Sequence, residues 1–411
     1  MCQRAVRLAL LCFILVPLCL PAQDFRIAGR EIQVHGFASQ GFVYTNDNNW
    51  LTMHTSQGSG AFTDFGVNIS TQITDNLRMG AQVYDRNLGD LGEWHPSVDW
   101  ALVDYRFKPW LGIRAGKVKT TIGLYNDTQD LDFLRTFVLL PQSIYPTDVR
   151  NSSLAHLGID IYGKFSLKRG LGDLLYTAYV GHRSDSLYDG YTYLATQYDV
   201  FYSRYGGLQY GGDLRWKTPL KGLLVGMSRM DQSLSGNGRF ISPFNPTGGF
   251  VPYADASKGD STNQFYVEYS RGKLQLDSEY RRFIHDDVIN GGILLTASDV
   301  RGWYVSGTYQ VAKRLALGSY YSRYTIATGS GGPLAALFPA QTDTGLPANH
   351  VYDKVITARV DLKRFWYLKV EGHFMNGIGN STFPDGFYPQ VNPHGFNPDT
   401  NALVLKTGMN F

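Results

Sequence analysis

Apolar and polar residues alternate along most of this chain. From Ala61 to Ile73, Ala61, Thr63, Phe65, Val67, Ile69, Thr71 and Ile73 share one face, and Asp64, Asn68, Ser70 and Gln72 share the other. Asp75-Asn76 then supplies a tight turn, and Leu77, Met79, Ala81 and Val83 alternate with Arg78, Gln82, Tyr84 and Arg86. A period of two is the signature of a β-strand with two unlike faces, and two such runs around a short polar turn predict a hairpin. The same pattern predicts strands over 32–44, 61–74, 77–87, 97–107, 110–120, 155–166, 174–184, 207–217, 222–231, 263–271, 273–284, 300–311, 315–326, 351–362, 365–376 and 401–411. Each run is near the 9–11 residues a tilted strand needs to cross a bilayer.

The links between these strands alternate in length. Short ones fall at 75–76, 108–109, 168–173, 218–221, 271–272, 312–314 and 363–364. Long ones fall at 45–60, 88–96, 121–154, 185–206, 232–262, 285–299, 327–350 and 377–400. Short turns on one side and long loops on the other predict an all-β transmembrane antiparallel barrel of about sixteen strands, with periplasmic turns and extracellular loops. Trp110, Trp216, Trp303, Phe365, Trp366 and Phe411 are read as collecting beside short turns or the terminus, as an interfacial aromatic girdle would. A secreted sandwich or propeller also alternates, but no blade-like repeat is visible. Leu403, Leu405, Thr407 and Met409 alternate up to Phe411, which resembles the C-terminal signal by which barrel assembly machinery recognises such proteins.

Composition agrees. Aromatic residues make up 14% of the chain and charged residues 18%, against roughly 25% in soluble domains. No run after the N-terminus approaches the apolar length of a membrane helix. Residues 1–22 read as a secretory leader, with Arg4 and Arg7 before the apolar stretch Leu8 to Leu20. A lipidated Cys12 or Cys19 is disfavoured, because each follows a leucine. The leader holds all three cysteines, so the expected mature domain, 23–411, has no disulfide framework. Removing Arg4 and Arg7 takes Lys+Arg from 38 to 36 against 35 acids, a net charge of +1 that gives no footprint for nucleic acid.

The stretch Trp100 to Tyr145, with AGKVKTTIGLYNDTQDLDFLRTFVLLPQSIYP beginning at Ala115, resembles the porin superfamily, near the phosphate-selective porins. The resemblance implies general diffusion porins: a trimeric channel in a Gram-negative outer membrane, in contact with lipid and lipopolysaccharide, whose third long loop folds into the lumen and narrows it. It implies passage of small hydrophilic solutes or ions, with no cofactor.

Acids on an inward loop facing bases on the wall make a transverse field that selects solutes by sign. The expected constriction sets Asp127, Asp130 and Asp132 of the third loop against Arg78, Arg86, Arg114, Lys117 and Lys119. Lys117 and Lys119 also suit an anion, though the balanced charge argues against a channel specific for anions or phosphate. The apolar Leu139-Leu140-Pro141 fits packing on the inner wall or a neighbouring subunit. Catalytic chemistry has little support. The nine histidines show no HExxH spacing, and no nucleophile elbow or P-loop is present. The alternatives are a barrel phospholipase or protease, whose Ser–His or Asp–His pairs strands could assemble, and a plugged structural barrel. Asn46 to Asn49 offers clustered oxygens for calcium but reads better as a polar loop.

Overall fold

The structure is a computed structural model that describes residues 23–27, 30–241, 248–337, 347–379 and 385–411; the expected leader lies outside them. Its strands are β1 (Gln23–Ile27), β2 (Arg30–Thr45), β3 (Ser59–Thr74), β4 (Leu77–Leu88), β5 (Ser97–Lys108), β6 (Leu111–Lys119), β7 (Ala155–Ser166), β8 (Asp173–Ser184), β9 (Val200–Lys217), β10 (Leu223–Ile241), β11 (Phe250–Ser257), β12 (Asp260–Arg271), β13 (Leu274–Ile289), β14 (Leu294–Ala312), β15 (Leu315–Gly331), β16 (His350–Lys363), β17 (Trp366–Gly377) and β18 (Asp399–Asn410). Neighbours pair antiparallel, and β18 pairs with β2, which closes the sheet. β11 and β12 both run between β10 and β13 as one interrupted strand, so the wall has sixteen strands, and β1 adds a short extra pairing on β2.

The β2–β18 ladder runs from Ala402↔Thr45 to Asn410↔Phe37 and ends in one tight approach. The Gly36 amide donates to the Phe411 carbonyl at 3.1 Å, and the Phe411 amide donates back at 2.9 Å. A Cβ on Gly36 would lie 2.5 Å from Cζ of the Phe411 ring, so only glycine seats this aromatic against the first wall strand.

The sixteen strands predicted from alternation are all present. Four of the expected long links are partly strand. β10 continues to Ile241 and β11 fills 250–257 of the 232–262 link, β9 begins at Val200, β15 reaches Gly331, and β13 and β14 leave only 290–293 between them. Above the bilayer both faces of a strand meet water, so polarity no longer alternates although the backbone still pairs. Trp303 is also corrected: it lies at the middle of β14, opposite Tyr280 and Arg323, away from the short turns. Trp216 and Trp366 do lie beside short turns, and their indole N–H groups donate to Leu171 O and Thr407 Oγ1, each at 2.8 Å.

Exposure is inverted relative to a water-soluble fold. Ile69, Phe265, Val305 and Ile356 are 49%, 53%, 53% and 58% exposed on the outer face, whereas Lys369, Glu371 and His373 are fully buried on the inner one. An exposed aliphatic or aromatic side chain forgoes about 1.5–3 kcal/mol of burial in water. Dozens of them in continuous outward rows call for a lipid surround.

Candidate functional site: the third loop inside the barrel

The link between β6 and β7, residues 120–154, turns into the lumen. The Thr120 hydroxyl lies 3.0 Å from His156 Nδ1 and accepts from Gln209 Nε2 at 2.9 Å. The chain then follows the wall. Gly123 N donates to Ser228 Oγ at 2.9 Å, and Leu124 N donates to Glu279 Oε2 at 3.0 Å. Gly123 holds φ +64°, and a Cβ there would collide with Gln264 and Glu279. Glycine therefore allows this close run along β12 and β13.

The middle of the loop is held by charge. Lys119 Nζ donates to Asp130 at 2.6 Å, and Gln82 Nε2 donates to the other oxygen at 2.6 Å. Asp99 beside them takes both terminal nitrogens of Arg150, at 3.0 and 2.7 Å. Asp132 lies 3.0 Å from Lys406 Nζ and accepts from the Tyr367 hydroxyl; Lys406 also donates to Asp64 at 2.7 Å. Burial opposes ionisation of Asp132, but Lys369 and Lys406 outweigh it and hold this loop carboxyl well below the usual range. Lys369 Nζ donates to the carbonyls of Asp132 and Phe137 at 2.7 and 2.9 Å, and Glu371 accepts from the amides of Val138 and Leu139 at 2.8 and 3.0 Å. A buried cation and a buried anion of β17 thus satisfy the loop's backbone where loop and wall pack together and exclude water.

The returning limb is fixed similarly. Arg281 Nη1 donates to Ile144 O at 2.7 Å, the Tyr145 hydroxyl donates to Glu279 at 2.7 Å, and Arg86 donates to Thr147 O at 2.5 Å. Leu139 and Leu140 are buried against the wall side of the lumen, Leu139 beside Val351 and Met375, as their polarity suggested. A void of about 40 Å³ lies between Asp64, Tyr84, Arg86 and Lys406 of the wall and Asp130, Asp132 and Arg135 of the loop. This is the candidate constriction.

The eight expected constriction residues scatter. Lys119, Asp130 and Asp132 meet at the loop–wall contact. Arg86 reaches it but is spent clamping the loop and Asp189, at 3.2 Å. Asp127 is half-buried, within electrostatic reach of Arg215. Arg78 and Arg114 stand lower, near the short turns: Arg78 donates to Ser70 Oγ at 3.1 Å, and Arg114 pairs with Asp104 at 3.5 Å over the Tyr162 ring. Lys117 is a correction. It pairs in register with Ala101 and Leu157 on the outward row, so it faces away from the lumen. Lys117 and Lys119 were expected to act together; they share a strand face, but Lys119 is the last residue of β6, where the chain turns inward and its amine reaches Asp130.

Lys369, Glu371, Lys406 and Arg150 were missed. The three strand residues occupy inward positions mid-strand, where an ionisable group has no cheap structural reason to be; that parity signal was readable. Arg150 lies in a loop without a period and carried no such signal.

Other expected chemistries find structural duties. Thr120, His156 and Asp160 form a hydroxyl–imidazole–carboxylate chain, with 2.8 Å from His156 Nε2 to Asp160. All three are fully buried, so no substrate reaches the hydroxyl. Asn48 donates to Asn397 O at 2.7 Å and Thr400 Oγ1 at 2.8 Å, which ties the first long loop to the last. Among the described residues no cluster of His, Cys, Asp or Glu is arranged to hold a metal ion.

No family model and no curated protein matches the chain. Solved structures do match in fold. OmpF of Salmonella typhi, in complex with daunomycin, is 14% identical over 95% of this chain and 100% of its own, with a TM-score of 0.55. An anion-selective porin from Comamonas acidovorans is 10% identical over 93% and 100%, with a TM-score of 0.53. The trimer form of in-vitro folded OmpT, an outer membrane protein of Vibrio cholerae, is 12% identical over 92% and 99%, with a TM-score of 0.52. The chain therefore has the fold of outer-membrane β-barrels, porins among them.

Proposed function

We propose that this protein is an outer-membrane channel through which small hydrophilic solutes or ions diffuse passively, with its charged constriction where the third loop meets the wall. The observation that carries this reading is the loop itself. It enters a lipid-exposed barrel and sets Asp130 and Asp132 against Lys119, Lys369 and Lys406. Fixed charges in a narrow low-dielectric passage act more strongly than on an open surface. Acids and bases are interleaved there, so the preference is for solute dipole orientation and modest sign selection rather than for phosphate alone. Catalysis has no place in this reading.

The subunits are proposed to associate as a homotrimer, in line with the trimer form of the Vibrio cholerae protein of similar fold. An outer groove lined by Gly80, Ala81, Ala101, Ala115 and Gly116 offers a second copy the close backbone approach that small residues permit. The remaining outer face meets lipid and lipopolysaccharide, and Phe411 is the contact offered to the assembly machinery. The reading is tested by reversing Asp130 and Asp132 to lysine and measuring reversal potentials in planar bilayers. The expected result is a shift toward anion permeation. An unchanged permeability ratio removes the constriction from this site.

A further inference from the structure

A second cavity, of about 110 Å³, lies between the returning limb of the third loop and the wall from β8 to β15. Most charges around it are already spent. Arg183 grips Asp185 and donates to Gln232 at 3.2 Å. His285 lies between Asp260 and Asp287, at 2.9 and 2.8 Å. Asp148 accepts from the Tyr388 hydroxyl at 2.6 Å and the Val149 amide at 3.1 Å. Two groups are different. Arg281 uses Nη1 on Ile144 O, and its buried Nε has no partner. Asp385, on the last long loop, accepts no hydrogen bond from the described residues, and no ion pair joins it to Arg281.

We propose that this cavity is a binding station for a small zwitterion of the α-amino acid class, its carboxylate on Arg281 and its ammonium on Asp385 with Asp148 alongside. A lone anion would leave Asp385 unmatched, a lone cation would leave the guanidinium unmatched, and a neutral solute would satisfy neither. Size narrows the class. A cavity near 150 Å³ holds benzene, so about 110 Å³ suits a solute on the scale of glycine or alanine, flanked by Tyr145 and Tyr324. Burial, and then Asp148, push the Asp385 carboxyl up to about 8. An arriving ammonium group would relieve that strain, which favours ionised Asp385 in the bound state.

The proposal rests on the channel reading, because the lumen is the route to the cavity. The test uses the whole mature protein in detergent, with L-alanine, acetate and methylammonium titrated in turn by calorimetry. L-Alanine is expected to bind at least about tenfold more tightly than either singly charged probe, the worth of one charge-assisted contact. Arg281→Gln and Asp385→Asn should each weaken it by a similar factor, while Arg281→Lys retains part of the affinity. Heat-modifiable gel mobility identifies variants that are folded. Equal binding of all three probes, no binding, or undiminished binding in the folded variants overturns the site. Bilayers separate the two claims: alanine binding without conductance sinks the channel reading alone, and conductance without alanine binding sinks this one alone.

Discussion

Lys406 touches Asp64 and Asp132 at once, at 2.7 and 3.0 Å, from a buried position. Removing the amine leaves Asp64 without its ion-pair partner and Asp132 with only the more distant Lys369, at 3.8 Å. Breaking one partner of a buried ion pair typically costs about 3–5 kcal/mol. Lys406→Met should lower the unfolding midpoint in detergent by a corresponding amount, and adding Asp132→Asn should restore part of it. If Lys406→Met unfolds like the parent, this triad is not what anchors the loop. The same residues set a pH window. Asp130 and Asp132 both ionise below their ordinary range, Asp130 because Lys119 and Arg150 outweigh its burial. Their folded-state values are depressed, so their stabilisation is complete above the unfolded carboxylate value of about 3.9 and is lost as pH falls below it. The contribution of these two acids to ion selectivity should stay constant from neutrality to about pH 4 and drift only below that. A transition between pH 5 and 7 would show that other groups govern the loop.

At the level of elements, strand existence was legible and strand length was not. Where a strand crosses lipid, each residue meets either hydrocarbon or the lumen, and the alternation writes this plainly, as in Phe65, Val67 and Ile69 against Asp64 and Asn68. Beyond that level β10 continues as Ser235-Gly236-Asn237-Gly238, which has no polarity pattern, yet it pairs with β9 and β11. Backbone pairing there is decided by neighbours, which a single sequence does not show. The site follows the same division. The inward entry of the third loop was legible through its resemblance and its acids, but the wall bases opposite them lie on β6, β17 and β18, and only the barrel's closure brings these together. That closure makes its own prediction. Gly36→Val should push the Phe411 ring from its seat and yield a barrel that migrates as unfolded on unheated gels. Normal heat-modifiable migration of this variant would mean that the β2–β18 seam tolerates a side chain.

The whole molecule is a sheet with its apolar side outward and its ionisable residues enclosed, and the loop linking β6 to β7 divides that enclosure. A solid plug and a narrowed channel share this outline, and they differ in whether ions cross. The most direct measurement is therefore the current through the purified mature protein in a planar bilayer. The account predicts stepwise openings whose ion selectivity changes when Asp130 and Asp132 are reversed. Bilayers that stay silent although folded barrel has inserted would contradict it.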